Sequence, residues 1–123
     1  MSNRRATSWA LGAALVISVI AAGCGSARKE EIPPARFRDD PQLRRGRVVF
    51  MQTCNQCHVG GGPGLGPGLN DKPLPGFAIK TQVRQGAGTM PAFPKDEISD
   101  EDLEALVKYM KVRREQHDAV ASR

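Results

Sequence analysis

The chain has 123 residues and a formal net charge of +5, which leaves room for one small folded domain. Aromatic side chains make up only 5% of the sequence and do not interleave with the basic residues, so no nucleic-acid partner is predicted. The three cysteines do not form a disulfide framework. A folded domain of this size without disulfides needs another source of stability, such as a covalently bound cofactor.

Residues 1–23 have the pattern of an export signal. Arginines at positions 4 and 5 precede an apolar run over residues 9–20, and three small residues follow. The run is shorter than the roughly 20 residues that a membrane span needs, so the segment is predicted to be a cleaved signal peptide. Its removal takes away two of the 18 basic residues and none of the 13 acidic residues, which leaves a formal charge of +3.

Cys24 comes directly after the small residues. The segment over residues 21–24 resembles the lipobox of bacterial lipoproteins, although the lipobox usually has leucine in place of Ala21. The resemblance implies a diacylglycerol on the Cys24 thiol, a new N-terminus at this residue, and anchoring to the extracytoplasmic (periplasmic) face of a bacterial membrane. The alternatives are a signal that is cleaved elsewhere, with Cys24 an incidental thiol, or an uncleaved signal anchor.

Residues 24–40 are predicted to be the lipidated N-terminus and a flexible tether. From residue 25 onward the segment is rich in charge, contains Pro33 and Pro34, and shows no helical period. A first helix is predicted from Asp40 and Pro41 onward, because Asp caps free backbone N–H groups and Pro suits the first helical position. Apolar or small residues then recur at helical spacing up to residue 50.

Glycine and proline are dense over residues 59–76, which predicts a loop. A short helix is predicted over residues 77–85, ended by Gly86. The last helix begins after the N-cap Ser99, carries three acidic residues in its first turn, and has basic residues near its predicted end. No segment alternates like a strand. The fold class is therefore all-α, with about three helices, long loops and a C-terminal tail over residues 115–123. Apolar residues of the last helix are Leu103, Leu106, Val107 and Met110.

Cys54, Cys57 and His58 form the C-x-x-C-H pattern that is typical of c-type haem attachment. Two thiols three positions apart can each add across one vinyl group of the same porphyrin, and the adjacent His58 is then held under the iron. A zinc site would need two further ligands, and the chain offers only Cys24 and His117. A thioredoxin-like redox pair would need a βαβ context, which is missing. The pattern predicts one covalently bound haem c.

With this motif, residues 41–114 resemble the class I cytochrome c family and its small helical fold around the haem. The segment at residues 66–69 resembles the one in which a proline carbonyl accepts a hydrogen bond from the iron-bound histidine, which implies that role for Pro67. The segment at residues 90–93 resembles the one that supplies the sixth iron ligand, which implies Met90 as the axial thioether opposite His58. The alternative for Met90 is a flexible hydrophobic loop residue. Weaker rival ligands are Met51, Met110 and His117.

The resemblance also implies a small-plus-aromatic contact of Gly46 and Phe50 on the first helix with Tyr109 on the last. Filling both axial positions of the iron from the chain leaves no vacant position for a substrate, so a one-electron carrier is predicted rather than an enzyme. The alternatives are a dedicated cytochrome subunit of a dehydrogenase or oxidase, and a haem enzyme or sensor with an open iron site. Two haem propionates would bring the net charge to about +1.

Transient docking with a donor and an acceptor redox protein is predicted, steered by basic residues that precede the acidic start of the last helix. These residues are Arg44, Arg45, Arg47, Lys72, Lys80, Arg84 and Lys95.

Overall fold

The computed structural model describes residues 32–123 and builds them from four α-helices. Within this range there is no strand, apart from an isolated bridge between Ala87 and Met90, and the predicted all-α class is confirmed. No helix of the range is both long enough and apolar enough to cross a membrane. The predicted signal peptide and Cys24 lie outside the described residues. The helices are α1 (Pro34–Asp39), α2 (Pro41–Val49), α3 (Gly76–Gln85) and α4 (Asp100–Ala121), with a π-helical turn at Phe50–Cys54 and a 3-10 turn at Val59–Gly61.

Helix α2 begins where the sequence predicts. The Asp40 carboxylate accepts a hydrogen bond from the Leu43 backbone N–H at 2.9 Å, and Pro41 occupies the first turn. The other carboxylate oxygen of Asp40 lies 2.6 Å from Lys108 Nζ on α4. Hydrogen bonds from Lys108 and from the Leu43 backbone lower the pKa of Asp40 below its ordinary value of 3.8. One carboxylate therefore both caps α2 and ties it to α4.

The centre of the fold is the crossing of α2 and α4. A Cβ at Gly46 would lie 2.5 Å from the Ala105 carbonyl carbon and 2.9 Å from Tyr109 Cβ, so only glycine allows this approach. Beside it the rings of Phe50 and Tyr109 pack with their centroids 5.3 Å apart, and both side chains are fully buried. The predicted contact of Gly46 and Phe50 with Tyr109 is confirmed.

The prediction that no helix precedes Asp40 is wrong for residues 34–39, which form α1. Ile32 is only 2% exposed and belongs to the core, and Phe37 packs against the same core. Arg44 on α2 donates from Nη1 to the Phe37 carbonyl at 2.6 Å and to the Arg38 carbonyl at 2.8 Å. These tertiary contacts stabilise α1. The sequence does not predict this helix, because a charged segment of six residues has no periodic pattern of apolar residues. The flexible tether predicted over residues 24–40 is therefore folded from residue 32 onward.

Helix α4 begins as predicted and ends later. The Ser99 hydroxyl accepts a hydrogen bond from the Asp102 backbone N–H at 3.0 Å, and three acidic residues fill the first turn. The helix continues to Ala121, so the predicted tail over residues 115–123 is largely helical and the last turn holds no basic residue. Residues 115–121 contain neither glycine nor proline to end the helix. Helix α3 also matches its prediction to within one residue, and Gly86 ends it with a φ of 71°.

Candidate functional site

The backbone of the cysteine motif is folded into a tight turn at the end of α2. The Asn55 N–H donates to the Phe50 carbonyl at 2.9 Å, which is the π-helical pattern, and the His58 N–H donates to the Cys54 carbonyl at 2.9 Å. The Thr53 hydroxyl donates to the Val49 carbonyl, which diverts this acceptor from the helical ladder. A π turn of this kind is frequent at functional sites. Here it places Cys54, Cys57 and His58 on one turn of chain.

Cys54 and Cys57 are free thiols, and each is half-buried. Burial raises the pKa of the Cys54 thiol to about 11, against a smaller opposing effect of a hydrogen bond from Thr53. Because the thiolate is the nucleophilic form, burial makes Cys54 less nucleophilic than an exposed thiol. Two unpaired thiols at this spacing suit thioether attachment.

His58 is buried, with 8% of its surface exposed. Its Nδ1 lies 2.7 Å from the Pro67 carbonyl oxygen, and the ring N–H donates to that oxygen. The contact that the family resemblance implies for Pro67 is therefore present. With the proton on Nδ1, the ring keeps a lone pair on Nε2, and Nε2 makes no hydrogen bond to any residue in the range 32–123. His58 can thus bind a metal through Nε2, with its orientation fixed by Pro67.

The loop after His58 is held closely around the histidine ring. A Cβ at Gly66 would lie 2.9 Å from His58 Nδ1, so glycine is required beside the ring. The Gly66 N–H donates to the Cys57 carbonyl at 2.9 Å, and the Leu69 N–H donates to the Gly61 carbonyl at 2.8 Å. The loop therefore returns to its own beginning and carries Pro67 over the ring.

Met90 is half-buried against the core at the end of a short loop after α3. Ala87 and Met90 exchange backbone hydrogen bonds of 3.1 and 2.9 Å, and a Cβ at Gly86 would lie 2.6 Å from the Met90 carbonyl oxygen. Arg84 on α3 donates from Nη1 to the Phe93 carbonyl at 2.9 Å. Its other acceptors are the Ile98 carbonyl and the Asp100 carboxylate. The Met90 backbone is therefore fixed from both sides, and its role as an axial ligand stays a prediction.

The three rival ligands lie elsewhere. Met51 is 42% exposed in the π turn, Met110 packs against the core on α4, and His117 stands near the C-terminal end of α4. None of them shares the loop that brings Met90 back to the core.

The sequence did not indicate the burial of Arg113, which it shows only as one of the basic residues near the predicted end of the last helix. The side chain is 8% exposed, and its guanidinium donates to Asn70 Oδ1 at 3.1 Å, to the Tyr109 hydroxyl at 2.9 Å and to the Gly60 carbonyl. Arg113 lies four residues after Tyr109, on the same buried face of α4, and this spacing could have indicated its burial from the sequence.

The residues present fit a covalently bound haem. Two free thiols are spaced for the vinyl groups, a buried imidazole keeps a free Nε2, and glycine stands where a side chain would press on its ring. Cys54, Cys57 and His58 would hold the group, with Met90 as the candidate for the opposite axial position.

The sequence is similar to one protein-family model and to several known proteins. A family model described as "Cytochrome C oxidase, cbb3-type, subunit III" matches residues 41–110. The cytochrome c subunit of 4-cresol dehydrogenase [hydroxylating] from Pseudomonas putida is 37% identical over 73 residues, which is 58% of this chain and 62% of the relative. Cytochrome c6 from Bryopsis maxima is 35% identical over 78 residues, which is 55% of this chain and 88% of the relative. Cytochrome c6 from Gloeothece citriformis is 37% identical over 73 residues, which is 53% of this chain and 66% of the relative. No solved structure is significantly similar.

Proposed function

The chain belongs to the cytochrome c family that this family model describes, as a monohaem class I c-type cytochrome with covalently bound haem c, and we propose that it is a membrane-tethered one-electron carrier. In this proposal the domain lies outside the cytoplasmic membrane of a bacterium, is anchored through Cys24, and passes electrons between redox proteins that bind it transiently.

The observation that carries the proposal is the 2.7 Å hydrogen bond from His58 Nδ1 to the Pro67 carbonyl. It directs Nε2 toward a metal and increases the electron donation of the ring. When bound, haem c supplies a one-electron Fe(III)/Fe(II) couple whose potential is raised by Met/His ligation. His58 and Met90 would hold the iron from the chain and would leave no coordination site for a substrate, which is why a carrier is proposed rather than an enzyme.

The surface beside the attachment motif supports transient docking. Leu65 is 88% exposed and Val59 is 41% exposed. A Cβ at Gly64, next to Leu65, would lie 2.6 Å from the Cys57 carbonyl oxygen and 3.3 Å from Val59 Cγ2. Exposed apolar side chains therefore lie next to Cys57. A small apolar surface can exclude water in an encounter without making the complex permanent.

Charge contributes less to this docking than the sequence predicts. Lys80 pairs with Glu104, and Arg45 pairs with Asp102. Arg84 and Lys95 both contact Asp100, at 2.8 and 2.6 Å. Four of the seven basic residues expected to steer a partner thus have acidic neighbours on α4. We still expect reduction rates to fall with ionic strength, but with a shallow dependence.

A second candidate function is a dedicated cytochrome subunit of a dehydrogenase, which the similarity to the 4-cresol dehydrogenase subunit favours. The same haem domain would then stay bound to one dehydrogenase. Gentle solubilisation of membranes followed by size exclusion separates the two candidates, because a dedicated subunit elutes with its enzyme and a carrier elutes alone.

The test of the carrier proposal uses the mature holoprotein from a host with cytochrome c maturation. We expect haem that acid-acetone cannot extract, a reversible redox titration with a one-electron slope, and the long-wavelength absorption band of a ferric iron–thioether bond. The oxidised protein should not bind added imidazole or cyanide rapidly. A high-spin spectrum with rapid ligand binding would instead indicate an open iron site and contradict the proposal.

A further inference from the structure

Arg113 is a buried cation without an acidic partner among the described residues. It is 8% exposed, and its polar contacts are the neutral acceptors Asn70 Oδ1, the Tyr109 hydroxyl and the Gly60 carbonyl. The guanidinium carbon also lies 5.7 Å from the centroid of the Phe50 ring. Burying an unpaired charge costs free energy unless its hydrogen bonds are well satisfied. The structure satisfies them with Tyr109 on α4 and with two residues of the loop that follows the C-x-x-C-H motif, Gly60 and Asn70.

Two of these acceptors lie at the two ends of one loop segment. Gly60 is two residues after His58, and Asn70 is three residues after Pro67. The ends also contact each other, because Asn70 Nδ2 donates to the Gly60 carbonyl at 3.2 Å and the Asn70 N–H donates to the Gly61 carbonyl at 3.1 Å. The segment is therefore a closed loop with the Arg113 guanidinium at its base.

The loop is shaped to admit this guanidinium. Gly61 has a φ of 69°, and a Cβ at this position would lie 2.8 Å from Arg113 Nε. Gly60 has a φ of 59°, and its N–H is held by Asn55 Oδ1 at 2.8 Å. Both glycines adopt the left-handed conformation that other residues rarely adopt. The approach of Arg113 thus depends on the backbone directly after the haem motif.

We propose that Arg113 is a positioning residue, which holds Gly60 and Asn70 together so that the Pro67 carbonyl stays in hydrogen-bond contact with His58 Nδ1. This proposal rests on the proposed function and deepens it, since the hydrogen bond sets the orientation and basicity of the histidine ligand. Loosening the loop weakens the bond, reduces electron donation from His58, and raises the reduction potential. The C-terminal helix thereby acts on the iron through the loop.

The test measures hydrogen exchange of the His58 ring N–H by NMR in the reduced, diamagnetic holoprotein. The variants are Arg113→Met, Arg113→Lys and Asn70→Ala. We expect exchange about tenfold faster in all three, the factor that corresponds to one hydrogen bond of ordinary strength. Lysine keeps the charge but cannot reach both ends of the loop. In Asn70→Ala, which changes no charge, the reduction potential should also rise.

Arg114→Met is the matched control. It removes the same charge one residue away, and Arg114 donates to the Lys72 and Leu74 carbonyls, outside the closed loop. Exchange in this variant should stay within twofold of wild type. Wild-type exchange in folded Arg113→Met and Asn70→Ala overturns the proposal, and so does full recovery in Arg113→Lys, which would assign the effect to charge.

If Arg113→Met does not fold, Asn70→Ala decides the question, because it removes one end of the contact and keeps Arg113 with its two other acceptors, Tyr109 and Gly60. The wild-type spectrum separates this proposal from the proposed function. A wild-type protein without histidine-ligated haem refutes both, whereas a normal wild-type spectrum with unchanged variants refutes only the role of Arg113.

Discussion

Replacing Gly46 with alanine sets two effects of opposite sign against each other. Alanine is favoured over glycine in a helix interior by about 1 kcal/mol, so α2 alone would be stabilised. In the fold, the new Cβ would lie 2.5 Å from the Ala105 carbonyl carbon, where ordinary contact begins near 3.4 Å. The nearest atoms belong to the backbone of Ala105, which cannot rotate away as the end of a flexible side chain could. The Ala105 carbonyl oxygen would lie closer still, so the two helices must separate by more than about 1 Å to accept one methyl group.

The cost of this separation exceeds the gain in helix propensity. A gap of 0.5–1 Å loses roughly a quarter to a half of each dispersion contact, and the crossing includes the fully buried Phe50 and Tyr109. Overpacking in a core costs about 1–3 kcal/mol and occasionally more, and the rigid obstacle places this case at or above the upper end. We expect a net loss of about 2 kcal/mol after the propensity gain is subtracted.

Thermal and guanidinium unfolding of the holoprotein, followed by far-ultraviolet circular dichroism, measures this loss. For a domain of this size, 2 kcal/mol corresponds to a fall in Tm of about 8–16 °C. Gly68→Ala is the control, because its nearest neighbour would lie 3.4 Å away and its φ is not left-handed. An unchanged or raised Tm in Gly46→Ala would refute the reasoning, since it would mean that propensity outweighs the helix crossing.

Three further predictions concern the iron, the anchor and acid stability. Met90→Ala should keep the thioether-bound haem but lower the reduction potential and give a high-spin spectrum, as an axial position opens; visible spectra and redox titration measure both. Cys24→Ser should abolish lipidation, so that mass spectrometry finds no acylated N-terminus and the protein leaves the membrane fraction. Asp40→Asn should remove part of the acid sensitivity. Because folding lowers the pKa of Asp40, its contribution is complete above the ordinary value of 3.8 and is lost as the pH falls below it.

Each of these has a control and a contradicting result. Met110→Ala should destabilise the core without changing the iron spectrum, and a native spectrum in Met90→Ala would exclude Met90 as the ligand. For the anchor, processing at the same site in Cys24→Ser with continued membrane binding would refute lipidation. For acid stability, Lys108→Met removes the partner of Asp40 and should reduce the same pH dependence. The interpretation fails if both variants lose stability with falling pH as the wild type does.

Local chemistry explains most of what the sequence predicts correctly. Asp40 and Ser99 cap their helices through backbone groups three residues away, and Gly86 ends α3 with its own left-handed conformation. Such signals lie within one turn of chain, so they can be read without a fold. The contact of His58 with Pro67 came from family resemblance, because a nine-residue loop closure leaves no periodic pattern.

The parts that sequence did not predict depend on distant partners. Arg113 is buried because Gly60, 53 residues away in sequence, supplies an acceptor. Helix α1 is stabilised by hydrogen bonds from Arg44 and by the burial of Ile32. The charged sequence of α1 itself predicts neither contact. Four of the seven steering charges are paired with carboxylates on α4 that become neighbours only after folding.

In the proposed form anchored through Cys24, the burial of Ile32 limits the volume that the domain can sample. With the chain free as far as Asp40, sixteen Cα–Cα steps would separate Cys24 from the fold, a maximum reach of about 58 Å. Fixing the chain at Ile32 leaves eight steps and about 29 Å. The accessible volume scales with the cube of this reach, so it shrinks about eightfold and the local concentration at a membrane-bound partner rises by the same factor. An electron acceptor that projects its redox centre far from the bilayer would be out of range, whereas one close to the membrane surface would be met more often.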